Sequence, residues 1–491
     1  MKKILPCLAA ILLLSSCNLA PKYSRPSAPV PAGFKEGPPV VWKKAQPRDA
    51  AIRPKWWELY GDPTLNGLEE QVQVSNQTIA ADEAAYREAR ALVAEARSAL
   101  FPTVTTSPSY STFRSSATVS GGTVAGGTGS TAGSGSVVSS SSGRTGQLYT
   151  LPVEATYEPD LWGRIRNTVA VNADNAQASA GDLANARLSI QAQLAEDYFQ
   201  IRAADQERRV LDAAVEAYRR NLEVTLNLLH NGIDSDEDVA QAQAQLDGAI
   251  ADASDLGISR AQFEHAIAVL LGQAPANFSL PSAATFSAEP PPVPVALPSQ
   301  LLERRPDIAA AERLVAAANA QIGVARAAYF PDLTLSATAG LESSHFSQWL
   351  TWPSRFWSLG PQLSETLLDF GERRGENEAA HAAYDQAVAN YRQAVLSAFQ
   401  SVEDNLAALR ILATEATQRQ TAASSSQRYL DLSLTRFKLG IDSYLNVSTA
   451  QTAYLTNAES AVQIQLRQML ASVTLVMAMG GGWQVADLPR P

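Results

Sequence analysis

Side chains able to do covalent chemistry are few and scattered in this chain. Its histidines, His230, His265, His345 and His381, are scattered, with no partner spacing for metal or triad chemistry. Gly121-Gly122 and Gly126-Gly127 lie in a low-complexity run without the lysine that a phosphate-cradling loop needs. No enzyme is expected. The polar pattern that does stand out is doubled: Gly232-Ile233-Asp234-Ser235 and Gly440-Ile441-Asp442-Ser443. In each, glycine ends one helix and serine is placed to cap the next.

The remaining chemistry is that of a thiol. Met1-Lys2-Lys3 is a basic start and Ile4 to Leu14 a mostly apolar run of 11 residues, too short for a bilayer helix of about 20 but suited to a signal peptide. Leu14-Ser15-Ser16-Cys17 resembles a bacterial lipobox, in which Cys17 receives a lipid and becomes the first mature residue. Asn18, in place of the usual aspartate retention signal, implies sorting to the outer membrane. Cys7 leaves with residues 1–16, so the mature chain has one cysteine and no intrachain disulfide.

The elements that carry the doubled turns are themselves doubled. An alanine-rich helix stops at Phe330-Pro331, because proline lacks an N–H and biases its predecessor out of the helical region. Beyond it, Leu333, Leu335, Ala337, Ala339 and Leu341 alternate with Thr334, Ser336 and Thr338, the period of a strand with one apolar face. The same event occurs 229 residues earlier at Phe101-Pro102, with Ile79 and Glu83 falling on Ile308 and Glu312. Further along, Gly163 falls on Gly371, Gly232 on Gly440, Val239 on Val447 and Gln243 on Gln451, all 208 residues apart. A Gly/Ser/Thr-rich insert between about Ser115 and Gly143 absorbs the difference. The chain is a tandem repeat.

In order, residues 17–61 are a proline-rich tether and an equatorial segment with Trp56-Trp57, read as packing, and Asp62-Pro63 opens the first helix. Residues 62–272 form repeat 1, with strands about 103–114 and 147–158 and a tip near 232. Residues 273–297 are a proline-rich linker, 298–482 form repeat 2, with strands about 332–342 and 356–365 and a tip near 440, and 483–491 are a tail. The strands, apolar on one side and about ten residues long, suit a tilted membrane-spanning strand. Trp349, Trp352 and Trp357 suit an interfacial girdle. The insert, poor in apolar residues, is expected on the outer side. Gly163 to Gly232 and Gly371 to Gly440 each run 69 residues without proline, roughly 100 Å of helix, which must pair with neighbours along its length. Arg304-Arg305 with Asp307 reads as a structural ion pair.

Composition fits a large packed body, 46% apolar and 18% charged, and the net charge of −10 argues against nucleic acid. No later stretch reaches 18 consecutive apolar residues, so strands must do any spanning.

Together the lipobox, Pro21-x-Tyr23-x-x-Pro26, Trp56-Trp57 with Asp62-Pro63, Arg304-Arg305-Pro306-Asp307-Ile308, Phe330-Pro331 and the Gly-Ile-Asp-Ser tips resemble the outer-membrane factor family, most of all its lipoproteins of tripartite efflux systems. The resemblance implies a mixed, mainly α fold: a long-helix α-barrel tunnel plus a transmembrane β-barrel shared between protomers of a homotrimer, four strands from each. Four strands alone cannot close a barrel, whose minimum is about eight, so self-association is required. The implied function is a passive exit duct for small molecules, anchored in the outer membrane and reaching into the periplasm. A periplasmic adaptor and an inner-membrane pump of the resistance-nodulation-division class are the implied partners, with no cofactor beyond the lipid on Cys17. A duct for type I protein secretion and a lipid-anchored spacer without a pore are the alternatives. Carried over by position, adaptor contacts fall on Gly232, Ser235, Asp238, Val239 and Gln243, and on Gly440, Ser443, Val447 and Gln451. The aperture leucine falls on Leu445 and the aperture's basic residue on Lys438. Thr449 stands where an acidic residue is expected, leaving Asp442 as the local carboxylate and predicting a more apolar gate. Mass spectrometry of the mature N-terminus should find a lipid on Cys17; an unmodified cysteine or another start would refute the lipobox reading.

Overall fold

A computed structural model describes residues 18–36, 55–114, 145–283, 290–292 and 298–489. Cys17, the signal segment and the Ser115 to Gly143 insert lie outside the described residues. The chain divides into two compact units. These do not follow the sequence repeats. Each unit takes parts of both, because strands from both repeats pair in one sheet.

The smaller unit comprises Ala91–Asn172, Ala318–Tyr384 and the segment up to Tyr23. It holds β1 (Thr103–Thr106), β2 (Ser109–Arg114), β3 (Thr145–Tyr157), β4 (Asp332–Ser343) and β5 (Arg355–Ser364). The first expected strand is thus broken at Ser107-Pro108. Both pieces nevertheless pair with β3 in one register, Val104 opposite Ala155 and Tyr110 opposite Tyr149, so they fill one strand position. All neighbours are antiparallel, in the order β1/β2, β3, β4, β5. The pairing keeps like with like: Val153, Ala339 and Trp357 lie across one row and Ala155, Ala337 and Leu359 across the next. One face is therefore apolar. The other carries rows such as Glu154, Thr338 and Ser358. The apolar face is uncovered, with Trp357 77% exposed and Leu359, Leu363 and Val104 exposed beside it. At one end of the sheet Tyr149 packs against Tyr110, Phe346 and Trp349, and Arg355 lies over the ring of Trp352 at 4.1 Å.

The junctions of sheet and helix are built from the same unit's side chains. Asp160 accepts from the N–H groups of Ile165 and Arg166 at 3.1 and 2.9 Å, capping the helix that follows β3. Trp162 donates from Nε1 to the Pro331 carbonyl at 2.9 Å and stacks on Phe330, so that turn is locked to the Phe-Pro helix stop.

The larger unit comprises Ser24–Arg90, Ala173–Ala317 and Asp385–Pro491. The helices of the chain are α1 (Pro63–Ser75), α2 (Gln77–Ser98), α3 (Arg164–His230), α4 (Asp236–Leu270), α5 (Pro298–Arg304), α6 (Pro306–Ala327), the short α7 (Phe346–Trp349), α8 (Glu372–Lys438) and α9 (Tyr444–Ala478). The helical stretch that Asp62-Pro63 opens is divided into α1 and α2, because the Asn76 side chain accepts from the N–H groups of Thr78 and Ile79 and so starts α2 afresh. α3 and α8 have 67 residues each, roughly 100 Å of helix apiece. No helix among the described residues is long and apolar enough to cross a membrane.

Trp56 and Trp57 are buried and pack edge to face, with Trp56 Nε1 donating to Gln191 Oε1 at 3.4 Å. They are core, as is the Asp62 cap, which accepts from Thr64 and Leu65 N–H and from the Tyr198 hydroxyl. Arg305 pairs with Asp307 at 2.6 Å and donates to the Ala478 carbonyl at 2.9 Å. The tether is a strap rather than a free leash. Arg25 donates to Tyr391 Oη, Arg392 to the Ser27 carbonyl, and the N–H groups of Lys35 and Glu36 to the Glu403 carboxylate. The strap ends on Arg410, which pairs with Glu36 at 2.5 Å.

Gly340 brings β3 and β4 together, since a Cβ there would fall 2.3 Å from the Leu151 carbonyl oxygen. Gly340→Ala is expected to destabilise the smaller unit by about 1 to 3 kcal/mol, the cost of overpacking. Thermal melting in detergent will measure it, and an unchanged melt would show that the strands do not approach so closely.

Candidate functional site

The doubled turns lie in the larger unit, where two helical hairpins, α3 with α4 and α8 with α9, end side by side. Each turn needs a left-handed backbone at its glycine, φ 71° at Gly232 and 68° at Gly440, which costs glycine nothing. The N–H of Ile233 then bonds the Leu228 carbonyl, and that of Ile441 the Arg436 carbonyl, closing both helices in the same way. The restart differs. Ser235 accepts from Asp238 N–H at 3.2 Å and its hydroxyl meets Asp238 Oδ2 at 2.7 Å, whereas the Ser443 side chain makes no cap hydrogen bond.

What replaces the cap in the second hairpin is an apolar core. Phe437, Tyr444 and Val447 pack with Ala242 of α4, and Leu222, Val224, Leu228 and Leu434 close around them. Tyr444 and Phe437 meet edge to face at 5.6 Å. The Tyr444 hydroxyl donates to Gln451 Oε1 at 3.4 Å, and burial pushes it up to about 12. A polar stitch adds to this: Gln245 of α4 donates to the Ser448 carbonyl and to Thr452 of α9, at 3.1 and 3.0 Å. The two hairpins are thereby one tip.

This geometry sorts the expected site residues. Val447 and Gln451 are 0% and 1% exposed; contrary to the expectation of outward contacts, they hold the hairpins together. Their repeat partners differ, Val239 being half-buried and Gln243 exposed, with its amide on Asp247 at 2.9 Å. Asp238 is half-buried, while Gly232, Ser235, Gly440 and Ser443 are exposed. Leu445, in the first turn of α9, is 57% exposed, with Ile441 and Leu439 exposed nearby in sequence. Thr449 turns its hydroxyl back onto the Leu445 carbonyl at 2.9 Å, so it is satisfied locally. Lys438 is exposed and makes no ion pair among the described residues. Asp442 instead takes Arg436 at 2.6 Å and Asn446 at 3.0 Å. The pair that clamps this turn is therefore one that the sequence reading passed over, formed across Gly440 within one hairpin. Phe437 and Tyr444 were also passed over, although Tyr444, Val447 and Gln451 follow the three, four spacing of one helix face.

The chain thus joins a two-faced antiparallel sheet in one unit to two helical hairpins, each with one helix of 67 residues, that end in a common tip. A family model described as outer membrane efflux protein matches residues 68–273 and 297–481. The chain belongs to the outer membrane efflux protein family. It is 30% identical over 486 residues to TtgC, a probable efflux pump outer membrane protein of Pseudomonas putida, covering 98% of this chain and 96% of that one. It is also 30% identical over 490 residues to OpmQ, a pyoverdine export outer membrane protein of Pseudomonas aeruginosa, covering 98% and 97%. Among solved structures, the outer-membrane channel OprN superposes with a TM-score of 0.82 at 28% identity, over 95% of this chain and 100% of that one. The CmeC outer membrane channel of Campylobacter jejuni, at 21% identity and a TM-score of 0.84 over 96% of each chain, shares the fold. The protein is an outer-membrane component of an efflux system.

The Arg436 guanidinium holds the Asp442 carboxyl below the usual carboxylate range, helped by Asn446. A depressed native pKa means that the contribution is present above the unfolded value of about 3.9 and is lost as pH falls through the native one. Amide protection at residues 440–443, exchange being referred to the intrinsic rate at each pH, is thus expected to fall on acidification below pH about 4, and Arg436→Ala should lower it modestly at neutral pH. Equal protection in both proteins at both pH values would refute the clamp.

Proposed function

We propose that three copies of this chain assemble into one duct through which small molecules leave the periplasm passively. The observation that carries this reading is the sheet of the smaller unit, with an uncovered apolar face, a polar face and two unpaired edges. In lipid an unpaired edge leaves backbone N–H and C=O groups without partners, and closure is the remedy. Three copies supply twelve strand positions, above the minimum of about eight. The polar rows then line a wet lumen, and rows such as Val153, Ala339 and Trp357 face lipid. A lipid on Cys17 adds an anchor at the head of the strap.

The tips are read as the docking surface for a periplasmic adaptor, through the exposed Gly232, Ser235, Gln243, Gly440 and Ser443, with an inner-membrane pump of the resistance-nodulation-division class beyond it. Relatives of equal identity are named for cargo as different as toluene and pyoverdine, which supports selection by the pump rather than by the duct wall.

The gate follows from the same tip. Leu445 stands exposed in the first turn of α9, so a threefold axis would bring three leucines together where the helix ends converge. Such a ring excludes water and blocks ions by dewetting. Neither Lys438, without a carboxylate partner among the described residues, nor Thr449, bonded to its own helix, offers an ionic lock. In planar bilayers Leu445→Ser should raise single-channel conductance severalfold while Lys438→Ala leaves it nearly unchanged. If both open the pore equally, or neither does, the leucine ring is not the constriction; a protein that conducts nothing in any form would point to a spacer without a pore.

A further inference from the structure

The strands sort their charges by face. Glu154 lies opposite Thr338, Glu342 opposite Thr150 and Asp332 opposite Ser364, so the strand carboxylates all fall on the polar face. The strand arginines fall on the other. Arg355 shares a row with Leu341 and Leu151, and Arg114, opposite Thr145, alternates onto the side of β2 that carries Tyr110. Arg114 is the last residue of β2 and Arg355 the first of β5. Both therefore stand at the end of the sheet remote from the helix junctions at Asp160 and Pro331.

The sequence around that end supplies no counter-charge. From Ser98 to Val153 it has Arg114 and Arg144 and no aspartate or glutamate, and from Ser343 to Ser364 it has His345 and Arg355 and again no acid. This is a reversal of sign in a chain whose net charge is −10. Arg144 lies outside the described residues. The side chains of Arg114 and Arg355 are exposed, and neither guanidinium has an ion pair among the described residues. Arg355 is laid over the Trp352 ring at 4.1 Å, which fixes its plane and leaves its N–H fork for another partner. On the same face Tyr149 gathers Tyr110, Phe346 and Trp349. Aromatic side chains of this kind settle at the headgroup level of a bilayer, and that is the depth at which an arginine on the lipid-facing side of a barrel is tolerated.

Closure of the sheet between copies sharpens the demand. Arg355 stands on the β5 edge and Arg114 on the β2 edge, so joining copies brings these two cations onto adjacent strands of one face, where like charges repel. An anion seated between them removes the repulsion. On a lipid-facing surface at headgroup depth the anions at hand are lipid phosphates, whose oxygens match the guanidinium fork bidentately. We infer that this rim binds a phosphorylated glycolipid of the outer leaflet, with Arg355 of one copy and Arg114 of the next clamping its phosphate. The acyl chains then lie along Trp357, Leu359 and Leu363, which the single chain leaves exposed on that face.

The inference rests on the reading of this chain as a self-associating duct, and its test keeps the two apart. The full-length protein in detergent is titrated with bis-phosphorylated lipid A, and native mass spectrometry reports both the mass of the assembly and the lipid that it retains. The unsubstituted trimer should retain this lipid about tenfold more tightly than dephosphorylated lipid A, and the difference should shrink as salt is raised. Arg114→Gln with Arg355→Gln should remove most of that preference while the assembly keeps its trimeric mass. Arg114→Lys with Arg355→Lys should keep part of it, and Glu154→Gln, on the polar face, should leave it unchanged. A trimer that retains both lipids equally, or a double glutamine variant that retains lipid A as the unsubstituted protein does, overturns the lipid site and leaves the duct standing. Displacement of lipid A by millimolar inorganic phosphate assigns the clamp to a free ion and overturns the lipid site likewise. A monomeric mass for the unsubstituted protein overturns both readings.

Discussion

Every peptide unit carries a donor and an acceptor, and in hydrocarbon there is no water to satisfy them. For this protein that constraint falls on the two free edges of one sheet, β1 with β2 on one side and β5 on the other. Inside the sheet the demand is met by long antiparallel pairing, nine residue pairs between β3 and β4 and ten between β4 and β5. At the edges it is not met by the single chain. The exposed apolar face adds a second demand of the same kind, because such a patch on a protein in water would drive association. In the duct proposed above, both demands are answered by a lipid surround and by further copies of the chain.

The helix ends at the doubled turns answer to different physics. They lie outside any sheet, so their cohesion comes from side chains, and the tip is held chiefly by Tyr444 and its neighbours. A desolvated aromatic seam is not weakened by salt, whereas an exposed pair such as Arg436 with Asp442 is. The seam thus fixes the two hairpins to each other as one piece, while the ion pair only trims one turn.

Elsewhere the larger unit spends its polar side chains on irregular segments. The strap from Arg25 to Glu36 is held by Tyr391, Arg392, Glu403 and Arg410 of α8. The segment Leu280 to Ala283 is held by Arg260, Arg202 and Arg209, with Asp205 buried among them as the shared counter-ion. Extended backbone has no internal hydrogen bonds, so it stays in place only where side chains from regular elements supply them.

Much of this architecture was legible in the sequence, because it is written in local terms. Proline at 331 and 102, glycine at 232 and 440, and the period of two across Leu333 to Leu341 each follow from the backbone freedom or periodicity of single residues. The doubling at fixed offsets could be counted without coordinates. What the sequence left open depends on which surfaces meet. Asn76 splits a helix because its side chain competes with the backbone, and the same residue in another setting would not. Val447 and Gln451 matched Val239 and Gln243 in sequence, yet only the packing around Tyr444 decided that one pair is buried and the other is not. Arg436 rather than Lys438 meets Asp442 because the path of the Gly440 turn sets which cation reaches back. Residue type and spacing determined the elements; burial and partner choice, which depend on side chains distant in the chain, were decided by the tertiary structure.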